Sequence, residues 1–248
     1  MMLKVASYNI RKAIGTDRRR SPERIIDVLN EMDADIVALQ EADRRFGKRL
    51  AVLPDWLLEA HTPYRAVPLG VRTESMGWHG NALLIRREHD LIAHDHIHLP
   101  CLEPRGAVTA TLKAGGHVVR VVGMHLDLSG LWRRRQATAV CRYLDAAKHD
   151  SQKGDALGGE EPRGDGPDTT ILMGDLNEWS AGRGCLVDFM RHYELASCGR
   201  SFHATRPVAT LDRILWRGTH RLDECGVHLS PAARRASDHL PVWARFSV

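Results

Sequence analysis

A chain of 248 residues with 43% hydrophobic and 27% charged residues has the composition of a folded globular protein, which excludes disorder and fibrous repeats. No apolar run approaches the roughly 20 residues that cross a bilayer, and a formal charge of +4 gives weak support to extended nucleic-acid binding. Five widely spaced cysteines without a Cys-x-x-Cys pair exclude a disulfide framework and a thiolate zinc site. The length predicts one domain over 1–248, and a start without the basic-then-apolar pattern of a secretory signal predicts a cytoplasmic protein.

Leu3 to Tyr8 alternates like a strand and delivers Asn9 to its end. Ser21-Pro22-Glu23 supplies an N-cap hydroxyl, a proline at the first helical position and an acid in the first turn. Ile25, Leu29 and Met32 then mark one face of a helix that ends near Asp33. The short apolar run Ile36 to Leu39 predicts a buried strand carrying Gln40-Glu41 at its C-terminal end, which closes a β-α-β unit. Asn81 to Ile85 reads as a strand. Ala107 to Leu112 and Val118 to Met124 flank Lys113-Ala114-Gly115-Gly116-His117, a glycine-containing hairpin connection.

Ala137, Val140, Cys141 and Leu144 predict a helix from about Arg133 to His149. Its basic start opposes the helix dipole at a cost of about 0.3–1 kcal/mol, which favours a functional use of Arg133, Arg134 and Arg135. Residues 151–168 are rich in glycine, proline and charge and predict a flexible loop. A strand over Thr170 to Met173, a short helix over Leu186 to Arg191, and strands over Leu211 to Trp216 and Val242 to Phe246 complete a mixed α/β sandwich.

The chemistry gathers at strand ends. In Gly174-Asp175-Leu176-Asn177 an acid and an amide emerge two residues apart, so both face one side if the strand continues. The carboxylate can orient water or bind a hard cation, and the amide can donate to a phosphoryl oxygen. In Ser237-Asp238-His239 an acid stands beside an imidazole suited to proton transfer near neutrality, and Asp212 in Leu211-Asp212-Arg213-Ile214 is the candidate partner that fixes its tautomer. Each segment taken alone also reads as a turn or cap.

Taken in order, Tyr8-Asn9-Ile10, Gln40-Glu41, Arg105-Gly106-Ala107, His125-Leu126, Gly174-Asp175-Leu176-Asn177, Leu211-Asp212-Arg213-Ile214 and Ser237-Asp238-His239 resemble the motifs of the endonuclease/exonuclease/phosphatase superfamily. The resemblance implies a DNase I-like, four-layer α/β/β/α sandwich with mixed, largely antiparallel sheets. It implies divalent-metal-dependent hydrolysis of phosphoesters, with magnesium as the ion and manganese as the alternative. Residue by residue, it assigns Glu41, Asn9 and Asp238 to the metal, and Asp175 and Asn177 to the attacking water and the phosphate. It makes His239 with Asp212 the base or phosphate ligand, and gives His125 phosphate binding or protonation of the leaving oxygen. The physical logic is in-line attack on phosphorus.

The match is nearest to a bacterial subgroup, through Glu103 to Ala107, Arg206-Pro207 with Leu211 to Ile214, and Ala233 to Pro241. That subgroup has Phe-Pro-Ala before the Arg-Pro, where this chain has Phe202-His203-Ala204, so the departure falls on the substrate-side loop. Arg105, Arg206, Arg234 and Arg235 are the candidate anion contacts, each also readable as a salt-bridged surface residue. The substrate is either nucleic acid or a phospholipid or small phosphodiester, the latter allowing peripheral membrane contact. A phospholipid-headgroup phosphodiesterase is the main alternative to a nuclease. A catalytically silent binding module is disfavoured because every expected acid and histidine is present. His94, His96 and His98 share one face of a predicted strand and read as its wet side, with a zinc site as the alternative. Trp78-His79-Gly80-Asn81 is either a rim over the substrate or a packed turn.

Overall fold

The computed structural model describes residues 2–44, 50–70, 74–153, 166–180 and 182–247. Strand β1 (Met2–Asn9), helix α1 (Pro22–Met32) and strand β2 (Ile36–Gln40) form the expected β-α-β unit. Its strands pair in parallel from Val5 opposite Ile36 to Asn9 opposite Gln40. Ser21 occupies the N-cap position, but its hydroxyl bonds Glu23 Oε2 at 2.9 Å, so proline at the first turn does more to start α1 than side-chain capping. A second parallel unit consists of β7 (His117–His125), α3 (Gly130–Lys153) and β8 (Thr169–Asp175), with His125 opposite Asp175 at its end.

All other pairings are antiparallel. The first sheet adds β3 (Tyr64–Ala66), β4 (Ala82–Arg86), β11 (Arg221–Val227) and β12 (Val242–Ser247), in the order β11-β12-β1-β2-β4-β3. The second adds β5 (Asp90–Ile97), β6 (Gly106–Ala114), β9 (Glu194–Ala196) and β10 (Asp212–Gly218), in the order β5-β6-β7-β8-β10-β9.

Three apolar layers hold these sheets. Between them, Val5, Ile36 and Ala38 of the first meet Val121, Ile171 and Ile214 of the second. Gly123 marks a close approach of the two sheets, since a Cβ there would lie 3.3 Å from that of Ala38 and 3.1 Å from Leu83 Cδ2. Outside the first sheet, Ile25 and Leu29 of α1 cover Tyr8 and Leu39, with α2 (Asp55–His61) and α5 (Pro231–Ala236) beside them. Outside the second, Ala137, Val140 and Leu144 of α3 cover Val122 and Leu172, with α4 (Cys185–Met190) alongside. The result is a four-layer α/β/β/α sandwich. Every residue of β2 is buried, which explains its unbroken apolar sequence, and each such large side chain contributes roughly 1.5–3 kcal/mol.

Two expectations shift. Helix α3 begins at Gly130 and runs through Lys153, so the first residues of the predicted loop 151–168 are helical; residues 154–165 of that loop lie outside the described residues. The basic triplet is therefore inside the helix, and two of its charges are met by acids from elsewhere: Arg133 Nε is 3.4 Å from Glu178 and Arg134 Nε is 3.2 Å from Asp188. Arg135 lies over the Trp132 ring. The dipole argument for a substrate-facing role thus gives way to ion pairing.

Strand β5 is an edge strand; His94 on it and His98 just past its end are exposed, Ile97 and Leu99 are buried, and His96 is half-buried with Nε2 2.9 Å from the Leu69 carbonyl, so the face is wet at two of its three histidines. Trp78 is a packed turn residue, its ring 5.0 Å from His96 and 5.3 Å from His98. Among the described residues, no helix is long and apolar enough to cross a membrane.

Candidate active site

The two parallel units explain why the site lies where it does. Parallel strands end together, so β1 and β2 bring Asn9 and Glu41 to one rim, and β7 and β8 bring His125 and Asp175 to another. Strand β10 runs the opposite way and starts there, with Asp212 opposite Asp175. Asn9 Nδ2 donates to Asp175 Oδ2 at 3.0 Å and joins the two rims across the sandwich.

Asp175 is the hub. Its Oδ1 accepts the backbone N–H of Asn177 at 2.9 Å, while the Asn177 side chain donates to the Leu126 carbonyl. Asp175 Oδ2 is 3.5 Å from His125 Nε2 and 3.7 Å from His239 Nε2. The other nitrogen of His239, Nδ1, is 2.9 Å from Asp212 Oδ2, an oxygen that also accepts from the Ser201 hydroxyl. The His239 ring thus lies between two buried carboxylates. Burial opposes its charge, yet Asp212, Asp175 and Asp238 outweigh burial and raise its pKa to about 10. His125 goes the other way. Burial lowers its pKa to about 3, with Arg105 and His239 adding repulsion that Asp175 only partly offsets. Two imidazoles beside one carboxylate therefore have different states at neutral pH, His239 charged and His125 neutral. Arg105 Nη1 lies 2.8 and 2.7 Å from the His125 ring nitrogens.

The remaining acids occupy the rim of the first sheet. Glu41 adopts a left-handed backbone (φ 55) and pairs with the Lys12 ammonium, and Asp238 Oδ2 is 3.2 Å from Arg11 Nε. Ser237 fastens this rim by donating to the Asn9 carbonyl at 2.7 Å. Segment 9–12 touches all three candidate ligands: the Asn9 amide oxygen accepts the Arg11 N–H, Arg11 meets Asp238, and Lys12 meets Glu41. Two partly exposed carboxylates and an amide oxygen are the oxygen donors that suit a hard divalent ion such as magnesium, and here each carboxylate is paired with a cationic side chain. Asp175, Asp212 and His239 also place one ligand atom each within 4.8 Å of one another, but those atoms are engaged by each other and by Asn9, as a carboxylate-imidazole-carboxylate line.

The four candidate arginines do not converge. Arg105 lines a pocket with Lys12, Glu41, Arg44 and His125. Arg234 Nη1 instead donates to the Ala204 and Thr205 carbonyls, and Arg235 pairs with Asp17 at 3.4 Å. Arg206 is exposed on the 202–209 loop. Sequence reasoning passed over Arg11, Lys12 and Ser201. The basic pair two residues after a strand-end asparagine was a usable signal for the first two; Ser201, 11 residues before Asp212 and joined to it by its hydroxyl, had none.

Residues 6–239 match the family described as the Endonuclease/Exonuclease/phosphatase family. The chain belongs to that family. Endonuclease/exonuclease/phosphatase proteins are hydrolases acting on phosphoesters and generally use a divalent metal. No curated protein matches the sequence. Among solved structures, the chain is similar to an endonuclease/exonuclease/phosphatase from Bacteroides vulgatus (16% identity, 100% of this chain and 99% of that one, TM-score 0.74). It is similar to a functionally unknown conserved protein from Enterococcus faecalis V583 (18%, 99% and 99%, 0.72). It is also similar to truncated TDP2 from Caenorhabditis elegans (18%, 100% and 98%, 0.69). At these identities the likeness is one of fold.

Proposed function

We propose that the chain, acting as one catalytic domain in the cytoplasm, is a magnesium-dependent phosphodiesterase. The observation that carries this reading is the buried line Asp212–His239–Asp175, with Asn9 and Asn177 bonded to Asp175. Glu41, Asn9 and Asp238 would hold the ion. When bound, it supplies positive charge that polarises the phosphoryl group and stabilises the departing oxygen.

The protein's own groups perform the rest. Asp175, held by two amides, orients a water and takes its proton as the oxygen attacks phosphorus in line with the leaving group. His239, charged and aimed by Asp212, neutralises a non-bridging oxygen as charge builds on it, and Arg105 and neutral His125 donate to the same group. Arg133 and Arg134 of α3 are engaged in ion pairs, Arg135 lies over Trp132, and the pocket's cations Lys12, Arg44 and Arg105 are local and share it with Glu41, Asp43 and Glu103. This favours a small phosphodiester over extended duplex nucleic acid.

The test is turnover of bis(4-nitrophenyl) phosphate with magnesium. Wild type should hydrolyse it, a chelator should stop it, and Asp175→Asn should reduce kcat by at least about a hundredfold. Turnover that survives chelation or Asp175→Asn would sink the reading.

A further inference from the structure

Beyond the reacting centre, rings step outward. The Phe202 ring lies 4.9 Å from His239, and the Trp179 ring lies 5.9 Å from Phe202 at 82°. Trp179 is 62% exposed, two residues after Asn177, and a second exposed apolar side chain, Leu128, is 63% exposed on the loop that follows His125. Exposed large side chains on a monomer are ordinary when scattered. These are not scattered, because buried chemistry fixes the two loops to each other.

Arg133 Nη1 donates to the Asp127 and Leu128 carbonyls, and its Nε reaches Glu178 Oε2 at 3.4 Å. Glu178 in turn accepts from the Ser180 and Cys185 backbone N–H groups. Gly184 leaves it room: its φ is +61, and a Cβ there would lie 2.0 Å from Glu178 Oε2. A buried ion pair of this kind adds little net stability but defines geometry. Here Arg133 links the residue beside Trp179 to the backbone carbonyl of Leu128.

We propose that Trp179, backed by Phe202 and on the loop linked through Arg133 to that of Leu128, forms a subsite for a planar ring carried on the phosphoester. The proposal rests on the phosphodiesterase reading. A substituent on a phosphoryl group held at Asp175 and His239 would meet the Phe202 ring, 4.9 Å from His239, and then Trp179. With 62% of its surface exposed, Trp179 has ring area free for stacking, which is tolerant of ring identity. An aryl ester and a nucleobase share that chemistry.

The experiment is calorimetric binding of methylphosphonate, butylphosphonate and phenylphosphonate in magnesium, which needs no turnover. Phenylphosphonate should bind wild type about tenfold more tightly than methylphosphonate. In Trp179→Ala that ratio should fall below about twofold, while in Trp56→Ala, altering an exposed tryptophan on α2, it should persist. A ratio near one in wild type, a ratio that survives Trp179→Ala, or butylphosphonate binding as tightly as phenylphosphonate would each overturn the subsite. Failure of methylphosphonate to bind at all would instead strike the underlying phosphoryl site.

Discussion

His239 gives Nδ1 to Asp212 at 2.9 Å and faces Asp175 with Nε2 at 3.7 Å, so one ring bridges the start of β10 and the end of β8. Residues that act as one unit share a single transition-state contribution. His239→Ala should nearly abolish hydrolysis of bis(4-nitrophenyl) phosphate, and Asp212→Asn should lower kcat strongly. The double variant should then lose far less than the product of the two effects. Simple multiplication of the losses would mean that the two act independently.

The opposite pKa shifts of the two histidines predict opposite pH signatures of stability in the chelated protein. His239 is raised to about 10, so its contribution is complete below the unfolded value near 6.5 and disappears as pH rises through about 10. His125 is lowered to about 3, so its neutral form favours the fold above 6.5, and that contribution is lost as pH falls toward 3. Urea denaturation from pH 4 to 10 should show His239→Gln removing the alkaline slope and His125→Gln removing part of the acid slope. Unchanged slopes in both variants would contradict the assignment.

Glu41 sits at a strand end with its side chain 26% exposed. Glu41→Gln should raise the magnesium concentration for half-maximal activity by at least about tenfold. Its unfolding free energy should stay within about 0.5 kcal/mol of wild type. A magnesium titration and a urea curve decide this together, and an unaltered titration would remove Glu41 from the ligand set.

Arg133 and Glu178 are both buried. Arg133→Met should destabilise by about 3–5 kcal/mol because it strands a buried carboxylate, and adding Glu178→Met should recover much of that loss. Urea unfolding of the single and double variants measures both. A single variant as stable as wild type would show that the pair is solvated.

Much of this was readable from the sequence because the chemistry sits where periodicity changes. Asn9, Glu41, Asp175 and Asp212 each fall at the boundary of an apolar run, and the structure puts all four at one end of the sandwich. The short edge strands β3 and β9, three residues each, carry too little pattern to see. Nor could sequence distinguish an arginine facing substrate from one facing Glu178, because burial of Arg133 depends on a loop 45 residues away. The left-handed backbone at Arg11, Lys12 and Glu41 was equally hidden, since none is glycine or asparagine.

The close contact of the two sheets at Gly123, Ala38 and Leu83 makes this site a gauge of mechanical alignment. Half of its groups ride on one sheet and half on the other, so a slide of about 1 Å between layers would separate Asn9 from Asp175 while leaving every strand intact. Warming that loosens the inter-sheet layer should therefore silence the protein before it melts, and enlarging Gly123 should shift the temperature of inactivation more than that of unfolding.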